Sequence, residues 1–238
     1  MNRENQIYLE PTAIIDSDHP DVIAHAEEVI GHSSDPVEIA VKLYRAVRDG
    51  IRYDPYSPFY RVEHYRASYV LRRGRSFCVP KASLLCACGR TVGIPTRVGF
   101  ADVRNHLATK QLLEFIGNNL FVYHGFVEFY LEGRWVKATP AFNSALCERH
   151  HVPPLEFNGR EDSLFQPYNL QNQQFMEYVR FYPVSSDIPV EKILTAWRKT
   201  YGEDRVDRWI NQFEQGEDRS LSDFGVEEPL QEKGGRDS

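Results

Sequence analysis

The cysteine at position 78 lies in a sequence context that favours chemical reactivity. Gly74 and Ser76 provide a polar, flexible approach, and Pro80 is tolerated only in the first turn of a helix. Cys78 is therefore predicted to open a helix. Free backbone N–H groups and the positive end of the helix dipole favour a thiolate there, and Lys81 one turn later is expected to add to this bias. A thiolate is the nucleophile that acyl transfer needs.

A histidine further along the chain is the predicted partner of this thiol. His124 stands at the start of HGFVEFYLEGRWVKATP, whose alternation of apolar and polar residues predicts two paired strands. An imidazole held on a strand beside a cysteine can take the thiol proton and return it to a leaving group. His106 is the rival histidine, but this strand context is missing around it, so His124 is the predicted base.

The elements that must position these two side chains have local signals of their own. The helix opened by Cys78 is expected to end near Gly89 and Gly93, and IPTRVGF then alternates as a strand. Upstream, Asp35 and Pro36 form a capping signature for a helix over residues 36–49. Apolar spacing predicts further helices over residues 21–31 and in the segment VEKILTAWRKTYG.

The order of these motifs resembles the transglutaminase-like superfamily, which shares the papain-type Cys–His core. The resemblance covers about residues 35–143 and is carried by FCVPKASLL, GIPTRVGF and HGFVEFYLEGRW. It implies an α+β fold of the transglutaminase-like or papain-like kind. In that fold the helix with the nucleophile packs on an antiparallel sheet with the histidine. It also implies that Cys78 is the nucleophile and His124 the general base.

The third catalytic position departs from the family pattern. The family usually has an aspartate before a proline downstream of the EGRW motif, whereas WVKATP here has Thr139. A threonine hydroxyl can accept a hydrogen bond from the distal imidazole nitrogen, but it supplies no negative charge. Thr139 is the first candidate by position, and Asp102 is the alternative by chemistry. The other groups considered for orienting the ring are Glu128, Asn143 and Asp162.

Composition excludes several other classes of protein. The chain has 238 residues, a net charge of −6, 26% charged and 42% hydrophobic residues, which are ordinary values for a globular protein. Nucleic-acid binders carry a basic surface that this net charge does not provide. The first residues lack the apolar core of a signal peptide, and no stretch approaches the roughly 18 apolar residues of a membrane span. We therefore expect a cytoplasmic protein that binds neither nucleic acid nor a membrane.

The remaining three cysteines are expected to be structural. Cys86 and Cys88 lie two apart in the predicted helix and so point to different faces, and a C-x-C spacing is not a usual zinc motif. In a reducing compartment Cys147 is expected to be a free thiol as well. No metal and no cofactor are predicted.

The chain is expected to form a single domain over residues 1–202. Its core spans residues 35–143, and a cover segment over residues 144–202 is expected to pack on the sheet. Residues 203–238 form a polar extension in which VDRWINQF is amphipathic, and its last residues are expected to be disordered.

The segment between the first long helix and Cys78 is rich in aromatic residues and arginines. Aromatic rings supply contact area, and a guanidinium can hold a carboxylate, so this segment is a candidate substrate wall. The candidates for substrate binding are Tyr69, Arg72 and Arg75.

These features together predict a cysteine-dependent hydrolase or acyltransferase. It would act on the amide bond of a peptide, a protein or a small amide through a thioester acyl-enzyme. One alternative is an amide-forming or cyclising acyltransferase with a thioester donor, which a deep, narrow pocket would favour. The other alternative is a non-catalytic binding module that retains the fold, which the missing aspartate would favour.

Overall fold

The computed structural model describes residues 3–216 and 223–229, which form helices around an antiparallel sheet. The helices are α1 (Pro20–Ile30), α2 (Pro36–Gly50), α3 (Ala67–Arg73), α4 (Cys78–Thr91), α5 (Lys110–Ile116), α6 (Ser144–Arg149), α7 (Val190–Tyr201) and α8 (Glu203–Glu214). The strands are β1 (Arg52–Tyr53), β2 (Arg75–Ser76), β3 (Thr96–Asn105), β4 (Leu120–Leu131), β5 (Arg134–Ala138) and β6 (Met176–Phe181). Short 3-10 helices cover Arg3–Tyr8, Val62–Tyr65 and Phe224–Val226.

Helix α4 is the centre of the molecule. Nearly all of its residues are buried, because β4 packs on one side and α1, α2 and α3 surround the others. Its small residues, such as Ala82, Ala87 and Gly89, allow these neighbours to approach closely. A helix that is apolar on all sides is expected in such a position. The helix begins at Cys78, as predicted, and therefore presents the thiol at its N-terminus.

The main sheet has the strand order β5–β4–β3–β6, and all of its neighbouring strands are antiparallel. The predicted pair of strands after His124 is confirmed as the β4–β5 hairpin. Its turn uses Glu132 and Gly133, both with positive φ. Strand β6 comes from the cover segment and pairs with β3 at the edge of the sheet. A separate, small parallel pair, β1–β2, lies just before α4.

The predicted α+β class is confirmed, and so is the local signal for α2. The Asp35 carboxylate accepts the Val37 N–H at 3.0 Å, and Pro36 occupies the first helical position. Within the described ranges, no helix combines the length and the apolar character that a membrane crossing requires.

The beginning of the polar extension packs against the rest of the molecule. Helix α8 follows α7 directly, and its Trp209 is buried and stacked on Phe115 with ring centroids 4.6 Å apart. Residues 223–229 also contact the body, through a bridge between Thr109 and Pro229. The predicted disorder of the last residues concerns 230–238, which lie outside the described residues. The division at residue 202 stays a prediction.

Candidate active site

Cys78 and His124 line the same cavity, which is the central observation about the site. Cys78 is half-buried at the first position of α4, and His124 is buried on β4. The backbone N–H groups of Gly125, Val79 and Cys78 lie close enough to the sulfur to hydrogen-bond its anionic form. A negative charge that forms at this point therefore meets several backbone donors.

The close approach of β4 to α4 depends on a glycine next to the histidine. A Cβ added to Gly125 would lie 2.9 Å from the Cα of Val79, a backbone atom that cannot rotate away. The absence of a side chain at this position therefore lets the strand that carries His124 reach the first turn of the helix that carries Cys78.

A β-bulge directly before His124 is held by side chains from two other elements. The β3–β4 register pairs Ala101 with His124 and then shifts, and Tyr123 has a φ of 58°. Such left-handed backbone costs about 1 kcal/mol or more for a residue other than glycine, unless the surroundings enforce it. We call the polar contacts that enforce it here the bulge clamp.

The bulge clamp consists of three hydrogen bonds between side chains and the backbone. The Tyr201 hydroxyl accepts the Val122 N–H at 2.9 Å, and Trp197 Nε1–H donates to the Val122 carbonyl at 3.2 Å. Asp102 accepts the Tyr123 N–H at 3.1 Å. Helix α7 and strand β3 thereby fix the backbone from which the His124 side chain projects.

Burial opposes the charged forms of both Cys78 and His124. Burial raises the pKa of the Cys78 thiol to about 11, although the neighbouring backbone N–H groups lower it. Burial also lowers the pKa of the His124 imidazole to about 3. Both shifts oppose the thiolate that the helix N-terminus is predicted to favour. Near neutral pH their directions favour a neutral thiol and a neutral imidazole.

The predicted contribution of Lys81 to a thiolate is also corrected. Its ammonium group is fully buried and donates to the backbone carbonyls of Arg48, at 2.8 Å, and Ile51. These carbonyls lie at the C-terminus of α2, where acceptors lack helical partners. Burial lowers the pKa of Lys81 to about 7. Lys81 therefore joins the end of α2 to α4 and is a weaker source of positive charge than expected.

His124 has a buried polar atom without a hydrogen bond, and Thr139 lies on the same sheet face. In the described part of the chain, His124 Nε2 lacks a partner, and the Thr139 hydroxyl makes no well-aligned hydrogen bond but lies close enough to interact with the Tyr178 side chain. The β4–β5 register pairs Val127 with Ala138, so its continuation places Thr139 opposite Phe126, on the sheet face that His124 shares. Buried polar groups normally find partners, so the unpartnered Nε2 on the face of Thr139 indicates an interaction that forms during function.

The alternative acid, Asp102, is engaged with other groups. Besides the Tyr123 N–H, its carboxylate accepts the Tyr182 hydroxyl at 2.9 Å and lies 3.4 Å from Arg180 Nε. It thus holds the bulge before His124 and makes no hydrogen bond to the imidazole itself.

The other groups considered for the third position are also committed elsewhere. Glu128 pairs with Arg97 at 2.6 Å, and Asp162 pairs with Lys137 at 2.9 Å. The Asn143 side chain bonds to backbone groups at the end of α2 and in β1. The rival histidine, His106, lies 3.4 Å from Glu177 and does not line the cavity.

The roof of the cavity comes from helices that the sequence did not connect with the site. Trp197 and Tyr201 on α7, and Trp209 and Phe213 on α8, line it together with Cys78. The sequence signal is a pair of aromatic residues four apart in each of these amphipathic helices, a spacing that places them on one face. The predicted substrate residues Tyr69, Arg72 and Arg75 are not among the residues that line this cavity. Arg75 instead lies 3.6 Å from Asp54.

The three other cysteines are free and buried, as expected of structural thiols. Across residues 3–216 and 223–229, no three His, Cys, Asp or Glu side chains are grouped in a way that would hold a metal ion.

The neutral state of His124 predicts a loss of stability in acid. The folded chain binds this proton only near pH 3, whereas the unfolded chain binds it near 6.5, so stability is lost as pH falls from 6.5 towards 3. At pH 4.5 the contribution amounts to ~2–3 kcal/mol by linkage. Urea unfolding at pH 7 and 4.5 should therefore show a smaller acid loss for His124→Gln than for the unmodified chain. Burial also lowers the pKa of His64 to about 4, but His64 is present in both proteins, so its contribution to the acid loss cancels in the comparison. Equal losses of stability in the two proteins would contradict a buried, neutral His124.

A half-buried thiol at a helix N-terminus beside a strand histidine is the arrangement of a papain-type Cys–His core. Residues 23–140 match the family model described as the transglutaminase-like superfamily. The chain therefore belongs to the transglutaminase-like superfamily. Among curated proteins, no sequence matches the chain.

Several solved structures are similar to the chain at low identity. One is a candidate cysteine protease from Cytophaga hutchinsonii, with 17% identity over 59% of this chain and 43% of that chain and a TM-score of 0.46. Another is the periplasmic domain of TgpA from Pseudomonas aeruginosa, with 19% identity over 59% of this chain and 48% of that chain and a TM-score of 0.41. The chain thus covers less than half of the length of either structure.

Proposed function

We propose that this protein is a cysteine-dependent enzyme that cleaves an amide bond through a thioester acyl-enzyme. The observation that carries the proposal is the cavity that Cys78 and His124 line together, with backbone N–H groups directed at the sulfur. Membership of the transglutaminase-like superfamily supports it. The substrate would be a peptide, a protein or a small amide.

The neutral pair defines how the first step would proceed. Since the thiol holds its proton at neutral pH, His124 takes that proton as Cys78 attacks the carbonyl carbon, so attack and proton transfer are coupled. The Sγ–C bond forms, and the oxyanion is stabilised by the backbone N–H groups of Cys78, Val79 and Gly125. The C–N bond then breaks, and His124 returns the proton to the leaving amine.

Water or an amine then resolves the thioester and sets the overall reaction. We favour hydrolysis, because water needs no second binding site. The cavity has a volume of about 70 Å³, which holds a few water molecules and is not the deep pocket expected for a thioester donor with a long arm. This observation disfavours the amide-forming or cyclising alternative.

A screen of arylamides and peptides with added hydroxylamine tests the proposal. Hydrolysis releases the amine and the free acid, whereas hydroxylamine traps the same acyl group as a hydroxamate. We expect release of the amine, with hydroxamate formed at the expense of acid. The binding-module alternative, which the missing aspartate favours, predicts that ligands bind without any release of amine.

The role proposed for Thr139 is to orient the imidazole of His124. If its hydroxyl accepts a hydrogen bond from Nε2–H, Thr139→Val should lower kcat by about 10- to 10²-fold, and Thr139→Ser should retain most of the activity. Asp102→Asn should cost less, because the amide oxygen can still accept the Tyr123 N–H. Initial rates on one arylamide measure all three variants. A larger loss in Asp102→Asn than in Thr139→Val would identify Asp102 as the third member instead.

A further inference from the structure

The cavity beside Cys78 is lined mostly by aromatic rings. Phe59, Phe77, Trp197, Trp209 and Phe213 form what we call the aromatic wall. The rings pack on one another, with Phe59 and Trp197 centroids 4.9 Å apart and Phe59 and Phe213 centroids 6.0 Å apart. Within the part of the chain that the structure describes, no charged side chain lines the cavity.

Two polar groups on rings that line the cavity already make hydrogen bonds within the protein. The indole N–H of Trp197 and the hydroxyl of Tyr201 both bond to the backbone of Val122. A charged substrate group that entered would therefore lose its hydration and gain few partners, which is costly in free energy. An uncharged apolar group would gain by burial against the rings.

The cavity also suits one side of the substrate better than the other. The acyl group stays bonded to the sulfur while the thioester exists, so it must fit in the space that Cys78 lines. The amine, in contrast, leaves before water attacks. The group that remains therefore lies against the residues that line this cavity.

We propose that this site selects substrates whose acyl group is uncharged and apolar, and best of all aromatic, and that the aromatic wall binds that group. The proposal rests on the proposed function. Trp197, Trp209 and Phe213 lie outside residues 23–140, the part that matches the superfamily. The selectivity therefore depends on α7 and α8, which the match does not include.

Alkylation of Cys78 by three reagents tests this selectivity without any need for turnover. The reagents are iodoacetate, iodoacetamide and N-benzyl iodoacetamide. In each case the Sγ–C bond forms, iodide leaves, and the thiol proton is released. Rates at Cys78 are measured by mass spectrometry of the tryptic peptide and divided by the rates with glutathione, which removes the intrinsic reactivity of each reagent. We expect N-benzyl iodoacetamide to react about 10-fold faster than iodoacetamide on this scale, and iodoacetate to be the slowest.

Two phenylalanine variants locate the preference in the aromatic wall. Phe213 is half-buried on α8, so Phe213→Ala should fold and should reduce the advantage of the benzyl reagent several-fold. Phe181→Ala is the matched control, since Phe181 is 49% exposed on β6 and does not line the cavity. It should leave the preference unchanged.

The outcomes separate this inference from the proposed reaction. A benzyl advantage that Phe213→Ala reduces and Phe181→Ala retains supports the inference. Equal normalised rates, or a preference for iodoacetate, overturn it, and amide cleavage would then persist with charged acyl groups. The order of the three reagents on the unmodified chain tests the inference even if Phe213→Ala fails to fold. Failure of the proposed function has a different signature, namely that no amine is released from any arylamide while the reagent order stands.

Discussion

Replacement of Cys78 by alanine should lower kcat/KM for amide cleavage by at least about 10³-fold, because it removes the sulfur that forms the acyl-enzyme. His124→Gln should cause a loss of similar size. Since the half-buried thiol has a raised pKa, it depends on the imidazole to become nucleophilic. The two residues act as one unit, so the double variant should be little worse than either single one. Progress curves on the best arylamide from the screen measure all three.

A second cysteine in the same helix provides the control for this experiment. Cys88 is fully buried in α4 and does not line the cavity. Cys88→Ala removes the same atoms from the core and should keep near-normal turnover of the folded protein. Equal losses in Cys78→Ala and Cys88→Ala would show that damage to α4, and not chemistry, explains the effect.

Replacement of Gly125 by alanine should have the second largest effect, and on both activity and stability. The added methyl group would lie 2.9 Å from Val79 Cα, so β4 and the start of α4 must separate. Overpacking of this kind costs ~1–3 kcal/mol of stability. The same movement displaces His124 relative to Cys78, and misplacement by about 1 Å can cost 10²-fold in rate. Urea unfolding and kcat measured on the same preparation check both parts.

Gly50→Ala is the matched control for this substitution. Gly50 ends α2, and a Cβ built there has no atom within 4 Å. The change should leave activity intact and stability equal or slightly higher, because alanine restricts the unfolded chain. If Gly125→Ala behaved in the same way, the close approach of strand and helix would not matter for the site.

The parts of the fold that can be predicted from the sequence are those determined by interactions between residues close together in the chain. Asp35 and Pro36 cap α2 by contacts within a few residues, and Pro80 lies in the first turn of α4, where proline is tolerated. The alternation after His124 similarly predicts a hairpin whose two strands are close in sequence. These elements hold Cys78 and His124, so the pair could be identified before the structure.

The charge states at the site could not be predicted in this way, because they depend on burial by distant segments. The helix N-terminus suggested a thiolate at Cys78, but enclosure of the sulfur outweighs the neighbouring N–H groups. The position of Lys81 in the helix is local, whereas its carbonyl partners at Arg48 and Ile51 belong to another helix. Tertiary packing, not proximity along the chain, therefore determines the charge state of Cys78 and the hydrogen-bond partners of Lys81.

The surroundings of the pair were missed for a related reason. The aromatic residues of α7 and α8 lie more than a hundred residues after Cys78, and their helical spacing shows an apolar face without showing what it covers. Arg72 and Arg75 are predicted to bind substrate because a guanidinium can hold a carboxylate, yet they do not line the cavity. The bulge at Tyr123 likewise could not be predicted from the sequence, because its positive φ depends on contacts from β3 and α7.

Detection of the acyl-enzyme itself tests the central claim most directly. The chain is mixed with an activated phenylacetyl ester, quenched in acid within the first turnover and digested for mass spectrometry. The account predicts one phenylacetyl group on the peptide that contains Cys78, formed much more slowly in His124→Gln and absent in Cys78→Ala. Acylation spread over Cys86, Cys88 and Cys147, or turnover by the Cys78→Ala variant at the normal rate, would contradict it.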